Sequence, residues 1–367
     1  MTSKEYKRYR FSDVAAFKYG KMPKKEKMLV NNGYPIYSGY RYVGFYNEFN
    51  VEANTLVIIA RGVGGTGDIK LTREKCYLTN LSIAVKIYAH NIVNVKYLFY
   101  YFKLNNLRYL DSGSAQSQIT ISDLEKLFII LPSFETQQKI ARVLSAIDDK
   151  IELNNSINSN LEQQAQAIFK SWFVDFEPFG GKMPNDWSLK TLSDVSNITA
   201  GGDKPDIVSN IETEECKIPI YSNGVDQNGL YGYTTLPKIS QESVTVSARG
   251  TIGFTCLRLH PYVPIVRLIS LIPITDIVSA KYLYFALLNK HITGTGTTQQ
   301  QLTVPYFKTT EIIVPSFDII CNFTKITDFF YKIIEKNNME NSSLSQLRNT
   351  ILPKLMSGEI DVDKVEV

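Results

Sequence analysis

The chain contains one series of short motifs twice, in the same order. Phe11-Ser12-Asp13-Val14, for example, returns 181 residues later as Leu192-Ser193-Asp194-Val195. Six such pairs keep offsets of 181 to 188 residues, and in the first copy they begin at Phe11, Pro35, Ala60, Lys96, Gly113 and Leu131. Collinear matches at a nearly constant offset indicate a duplicated module. Two copies are too few for a solenoid, so each is predicted to form a domain.

The first part of each copy has the pattern of a mixed α/β domain. Leu56 to Ile59 and Leu127 to Leu131 are apolar runs of strand length bounded by turn or polar residues, and Ser243 to Ser247 alternates like a half-buried strand. The segments Tyr97 to Leu104 and Tyr282 to Leu288 predict short helices.

The end of each copy changes to a heptad pattern almost free of Gly and Pro. From Thr136 to Trp172 the pattern predicts a helix of about 55 Å, at ~1.5 Å per residue. The predicted seam consists of Ile140, Leu144, Ile147, Ile151, Asn154, Leu161, Ile168, Phe323, Ile326, Phe330, Ile333, Asn337, Leu344, Leu347 and Ile351. Two helices of similar length and matched phase favour an antiparallel coiled coil. Two separate helices, each packed on its own domain, are the alternative.

The predicted fold class is therefore α/β (α+β), with two duplicated domains separated by two long helices. The predicted boundaries are 1–134 for the first domain, 135–178 for the central helix, 179–317 for the second domain and 318–367 for the last helix and tail. Asn154 and Asn337 occupy equivalent positions in the two helices, and a polar residue in an apolar seam can fix its register.

Charge distinguishes the two copies. Residues 1–133 hold 19 Lys and Arg against 10 Asp and Glu, whereas residues 179–316 hold 11 of each. Only the first copy therefore has the basic excess expected of a polyanion binder. The four cysteines are far apart and are expected to be free thiols. No apolar run reaches membrane-spanning length and the start lacks a signal-peptide pattern, so a cytoplasmic protein is expected.

Enzyme signatures are scarce in this sequence. Gly62 to Gly67 begins like a phosphate-binding loop, but Asp68 stands where its lysine belongs, so a strand-connecting turn is predicted. The methyltransferase tetrapeptides N-P-P-[YF] and D-P-P-[YF] do not occur. Asp206, Glu215 and Lys217 match the degenerate outline of Mg²⁺-dependent nucleases, but copy one has no counterpart. No catalytic residue and no metal site are therefore predicted.

The duplicated order of motifs resembles the specificity subunits of type I restriction-modification systems, over essentially the whole chain. The resemblance rests on the Leu-Ser-Asp-Val type start (Trp187 to Val195 in copy two), the Ala-Arg-Gly turns, the Gln-rich segments 113–120 and 296–303, and the Pro-Ser-Phe passages into each helix. It implies two target-recognition domains that each read half of an interrupted double-stranded DNA target. It also implies two methyltransferase subunits as partners, with motor-nuclease subunits in some complexes, and no membrane partner. S-adenosylmethionine, ATP and Mg²⁺ would bind those partners, and this chain would hold no cofactor.

Basic and amide side chains in both copies are the candidates for DNA contact, since Lys and Arg hold phosphates and Arg, Asn and Gln read base edges. In copy one they are Lys21, Lys24, Lys25, Lys27, Arg41, Arg61, Gln116 and Gln118. In copy two they are Lys204, Asn223, Gln227, Asn228, Arg249, Gln299 and Gln301. Residues shared by both copies, such as Arg61 and Arg249, are the weaker candidates for base reading because two half-sites differ.

Two other functions remain open at this point. One is a scaffold whose two heads bind protein or carbohydrate on Tyr-rich faces. The other is the Mg²⁺-dependent nuclease outlined above. DNA binding that is unaffected by salt would favour the scaffold over a DNA reader. Mg²⁺-dependent cleavage by the chain alone would favour the nuclease.

Overall fold

The computed structural model describes residues 6–29, 31–39, 41–62, 65–111, 117–294 and 301–365. Its contacts divide the chain into two compact units. Unit 1 combines Met1–Asn155 with Asn338–Val367, and unit 2 is Ser156–Asn337. The division falls inside the two long helices, whereas the domain boundaries predicted from the sequence fall at their ends.

The described residues of unit 1 form three small sheets. Its elements are β1 (Lys7–Arg10), β2 (Ala15–Tyr19), β3 (Met28–Leu29), β4 (Tyr34–Ser38), β5 (Arg41–Tyr46), β6 (Leu56–Ile59), β7 (Ile69–Leu71), β8 (Tyr77–Leu78), β9 (Ser82–Ile87), α1 (Val95–Leu104), α2 (Ile121–Lys126), β10 (Phe128–Leu131) and the start of α3 (Phe134–Phe173). The strand orders are β1-β10, β2-β9-β6-β7 and β3-β5-β4-β8, and β4 and β8 run parallel.

Unit 2 repeats this plan. Its elements after α3 are β11 (Ser188–Thr191), α4 (Leu192–Val195), β12 (Ser196–Ala200), β13 (Ile218–Tyr221), β14 (Leu230–Thr234), β15 (Ser243–Val246), β16 (Thr255–Arg258), β17 (Val263–Pro264), β18 (Ile269–Pro273), α5 (Ala280–Leu288), α6 (Val304–Lys308), β19 (Glu311–Val314) and α7 (Phe317–Ser357). The strand orders are β11-β19, β12-β18-β15-β16 and β14-β13-β17, and β13 and β17 run parallel. Apart from β3, which has no counterpart in the unit 2 sheet, the strand orders match and confirm the duplication.

The local predictions are also confirmed. β6 and β15 lie where apolar and alternating runs were predicted, and α1 and α5 are the two predicted short helices. β6 pairs antiparallel with β7, so the segment that begins like a phosphate-binding loop connects two strands. Asp68, which stands where a phosphate-binding loop has its lysine, forms an ion pair with Arg108 at 3.1 Å.

The long helices pair antiparallel, as predicted. Within unit 1, Arg348 of α7 contacts Asp148 of α3, and Asn341 contacts Asn155 at 2.9 Å. Partner numbers therefore fall along α7 as they rise along α3.

Unit 2 shows the same direction. Its Asn337 donates to Asn158 at 2.8 Å, and Phe323 contacts Phe169 farther along α3. The helices contain 40 and 41 residues, and each crosses from one unit into the other without a break.

Within each unit, the parts of α3 and α7 that belong to it also pack on its domain. In unit 1, Ile140 and Leu144 of α3 join Leu355 of α7 in one apolar core with the domain. In unit 2 aromatic residues form the contact between the helices and the domain. The ring centre of Phe169 lies within 6 Å of the ring centres of Phe173, Tyr282, Phe285 and Phe323.

The buried stripe of α7 differs from the predicted seam. Tyr331 and Ile334 are buried, whereas the predicted Ile333 is half-buried and the predicted Leu347 is 49% exposed. The first half of α7 faces both α3 and the unit 2 domain, so its buried side is wider than a two-helix seam. Leu347 borders an open apolar groove with Ile147 and Ile351. In the described part of the chain, no helix is long and apolar enough to cross a membrane.

Candidate nucleic-acid interface

Two repeated motifs lie side by side in both units. The Ala-Arg-Gly turn follows β6 or β15, and the Gln-rich segment returns to it through a backbone hydrogen bond. Ile119 donates to the carbonyl of Ala60 at 2.9 Å, and Leu302 donates to the carbonyl of Ala248 at 3.0 Å. These bonds place Arg61 opposite Gln118, and Arg249 beside Gln301.

The pairing is not identical in the two units. The Arg249 guanidinium donates to the Gln301 amide oxygen at 3.3 Å and is exposed. Arg61 is half-buried, and its Nε has no hydrogen-bond partner among the described residues. Gln116 and Gln299, the other predicted amides of this segment, lie outside the described residues.

Unit 2 has a basic cleft beside this motif. The cleft has a volume of about 370 Å³, and its lining includes Lys204, Tyr231, Arg249 and Arg267. Tyr231 is 48% exposed and offers an aromatic face next to three cations. Cations beside an exposed ring can hold a phosphate backbone and stack on a base or sugar. The copy with zero net charge therefore concentrates positive charge locally.

An exposed polar turn connects β13 and β14. Gln227 and Asn228 both adopt left-handed backbone conformations, with φ of 48° and 55°, and both are exposed. Gly229 follows with φ of 82°, and a Cβ there would come within 2.5 Å of the Ser222 carbonyl oxygen. The turn thus fixes the backbone at two exposed amide residues, and a base-reading loop requires such a support.

The buried side chain of Arg258 holds this turn in place. It is 6% exposed, donates to the Asn228 carbonyl at 2.7 Å and to the Thr245 hydroxyl at 2.9 Å, and lies 3.5 Å from the Tyr221 ring centre. All three contacts restrain the same guanidinium, so the turn is attached to the strand core.

Asn223 braces the neighbouring loops. Its amide nitrogen donates to the Val266 carbonyl at 2.7 Å, and its amide oxygen accepts from the Ala248 backbone at 2.7 Å. Both ends of the side chain are engaged with backbone. In this conformation Asn223 positions the cleft rather than offering a free edge to DNA.

In unit 1 the predicted basic stretch lies just after β2. Lys21, Lys24 and Lys25 are exposed, and none makes an ion pair or side-chain hydrogen bond with a described residue. Lys27 differs, because its ammonium donates to Glu48, and this hydrogen bond raises the pKa of Lys27. Three lysines are therefore available to a polyanion, and the fourth is already paired.

The backbone holds this stretch against the sheet. A Cβ on Gly20 would collide with the carbonyl oxygens of Leu78 and Thr79, and the Lys24 backbone donates to the Tyr46 hydroxyl at 3.1 Å. Arg41 begins β5 and is exposed.

The sequence did not single out Arg258, Arg267 or Tyr231. One signal was present, since Arg249, Arg258 and Arg267 are the only arginines of residues 179–316. The nuclease candidates are all exposed. Asp206 and Glu215 lie in loops, and the described residues contain no group of three or more His, Cys, Asp or Glu that could hold a metal.

Comparison with known proteins identifies the class. The type I restriction modification DNA specificity domain matches residues 3–163 and again residues 184–349. The two matches cover most of the chain and correspond to the two copies. The chain therefore belongs to the specificity subunits of type I restriction-modification systems.

Individual relatives agree with this assignment. The HindI specificity subunit of Haemophilus influenzae is 30% identical, over 66% of this chain and 71% of its own. The putative type I specificity subunit S.MpnORF507P of Mycoplasma pneumoniae is 25% identical, over 90% of each chain. The crystal structure of the type I S subunit from M. genitalium shares the fold, with a TM-score of 0.64, 20% identity and 97% coverage of both chains.

Proposed function

We propose that this chain reads an interrupted double-stranded DNA target, one half-site per unit, for partner subunits that methylate adenine. The observation that carries the proposal is the occurrence of the family's DNA specificity domain in both copies. Each copy also combines an Ala-Arg-Gly turn with a glutamine from the returning segment. A two-part protein with two similar reading heads suits a two-part target.

The candidate residues fall into two groups, those suited to phosphate contacts and those suited to base edges. Lys21, Lys24 and Lys25 in unit 1 and Lys204 in unit 2 are exposed cations suited to phosphates. Gln227 and Asn228 present amides that can pair with an adenine edge, and Arg41 presents a guanidinium that can pair with guanine. Arg41, Gln227 and Asn228 are not shared by the two copies, which suits base readers of two different half-sites.

The chain itself is proposed to be non-catalytic. Two methyltransferase subunits would supply S-adenosylmethionine and the methyl transfer, and motor-nuclease subunits, where the complex contains them, would use ATP and Mg²⁺. The two long helices, of 40 and 41 residues, offer these partners a helical surface.

Co-expression tests the proposal. The full chain is produced with and without its neighbouring methyltransferase genes in a host free of adenine methylation, and methylated adenines are mapped by single-molecule sequencing. We expect a bipartite motif that requires both the chain and the methyltransferase. Methylation at the same sites without this chain, or an absence of methylation with soluble complex present, contradicts the proposal.

A further inference from the structure

The lip of the unit 2 cleft is a strained turn. Val266 and Arg267 are consecutive residues with φ of 52° and 61°. A β-branched residue rarely adopts this left-handed conformation, because its side chain crowds the backbone. Such strain persists only where surrounding contacts determine the backbone, and it concentrates at sites that use the resulting geometry.

Backbone hydrogen bonds fix this turn on several sides. Val266 donates to the Gly202 carbonyl and Arg267 donates to the Gly201 carbonyl, each at 2.9 Å. The Val266 carbonyl accepts from the Asn223 amide at 2.7 Å. A Cβ on Gly201 would come within 2.7 Å of the backbone of Pro264 and Ile265, so glycine permits this close approach.

The turn presents Arg267 to solvent. Arg267 is exposed, and within the described part of the chain its guanidinium makes no hydrogen bond or ion pair. Arg249 and Lys204 line the same cleft, and Asp203 is its only acidic lining residue among those described. A rigid backbone thus holds an unpaired guanidinium in a positively charged cleft.

Strand register identifies the matching position in unit 1. Ala200 of β12 pairs with Ile269 of β18, and Tyr19 of β2 pairs with Ile83 of β9. Arg267 lies two residues before Ile269, so its counterpart is Leu81. Copy one has no cation at this position, whereas Arg249 does have a counterpart in Arg61.

We propose that Arg267 is a specificity-determining residue that reads a guanine in the half-site of unit 2. A guanidinium can donate two parallel hydrogen bonds to O6 and N7 of guanine, and this pair is the commonest specific contact of the major groove. The fixed turn reduces the freedom lost on binding. Arg249, which both copies share, and Lys204 would contact the flanking phosphates. The inference rests on the proposed function.

The test uses the full chain assembled with its methyltransferase subunits. Methylated motifs and DNA affinities are compared for the native chain, Arg267→Ala, Arg267→Lys and Arg249→Ala. We expect both changes at Arg267 to make one guanine of a single half-site degenerate, by about 5- to 150-fold in discrimination, because lysine lacks the guanidinium fork. The other half-site stays unchanged. Arg249→Ala weakens all sequences alike.

Lys217→Ala is the matched control, because Lys217 is exposed in unit 2 and does not line the cleft. It should retain the native motif. An unaltered motif in a folded Arg267→Ala complex overturns the inference. So does a uniform loss of affinity with a salt slope lower by about 0.9, which marks a phosphate contact. If the native complex itself yields no bipartite motif, the proposed function fails first.

Discussion

At the residue scale, the candidate interface depends on a buried arginine whose role the sequence does not reveal. Arg258 belongs to a strand with ordinary alternation, and its role is visible only through its contacts with Asn228, Thr245 and Tyr221. A buried cation whose hydrogen bonds restrain a loop affects both stability and recognition.

We therefore expect Arg258→Ala to lower the free energy of unfolding by roughly 2–4 kcal/mol, since the change removes two charge-assisted hydrogen bonds and a cation–ring interaction. Urea unfolding of the full chain measures this. Arg258→Lys keeps the charge but cannot make both hydrogen bonds, so its free energy of unfolding should lie between those of Arg258→Ala and the native chain. An alanine variant as stable as the native chain would show that the turn is held in another way.

Lysine exposure also separates residues that look alike in sequence. Lys21, Lys24 and Lys25 are unpaired among the described residues, whereas Lys27 is bonded to Glu48. Replacing the first three with Ala should weaken binding to all sequences and flatten the salt slope by about 0.9 for each phosphate that is no longer neutralised.

Lys27→Ala is the internal control for this prediction and should flatten the slope less. The measurement is the dissociation constant of the assembled complex at several salt concentrations, on cognate and unrelated duplexes. A slope that is the same in the triple variant and the native chain would show that this stretch does not contact DNA.

At the element scale, the heptad pattern predicted the helix pair and its direction, but not the details of its contacts. Asn154 and Asn337 are equivalent in sequence, yet each finds a different partner. Asn154 donates to Glu340 and Asn341, and Asn337 donates to Asn158. The pattern describes one helix at a time, while the partners depend on how two helices and a domain meet.

The Asn158–Asn337 pair allows a test of register. Both amides are buried, so Asn337→Leu removes the donor to the Asn158 oxygen and should cost about 1–3 kcal/mol. The double change Asn158→Leu with Asn337→Leu removes both polar groups and should recover most of that loss. Urea unfolding of the single and double variants gives the coupling energy. If Asn337→Leu and the double variant lose the same free energy of unfolding, the hydrogen bond contributes little to stability.

The same contrast shows how far sequence reasoning reaches here. Duplication, strands, short helices and the long helix pair follow from periodicity and order, which are local or repeated signals. The strained turn at Val266 and the bracing by Asn223 depend on backbone approach between distant segments. No pattern of residue types records that approach. The predicted DNA contacts at individual residues therefore stay predictions.

At the scale of the whole molecule, the two units differ in how their positive charge is distributed. Residues 1–133 of unit 1 carry a basic excess, while residues 179–316 of unit 2 are neutral overall and gather cations in one cleft. Unit 1 should therefore contribute more of the salt-sensitive affinity, and unit 2 should be limited to a few cations around its reading site. Shared topology with different surface chemistry is what two independent half-sites require.

The helices connect these two units, since each continues across the division between them. If their length sets the spacing of the half-sites, one heptad inserted into both, after Asn155 and after Asn337, should lengthen the unspecified spacer. The insertion preserves the seam because the heptad phase is unchanged. Seven residues add about 10 Å, or roughly three base pairs at ~3.4 Å each.

The same insertion should leave both half-site sequences intact, because it touches neither the Ala-Arg-Gly turns nor the unit 2 cleft. Three added base pairs also rotate one half-site against the other by about a quarter-turn, given ~10.5 pairs per turn, so methylation efficiency should fall. The informative measurement is consequently the spacer length among sites that are still methylated. A control insertion of three residues breaks the heptad phase and should reduce stability instead. A native spacer in a folded, active seven-residue variant would show that the helices do not determine the distance between half-sites.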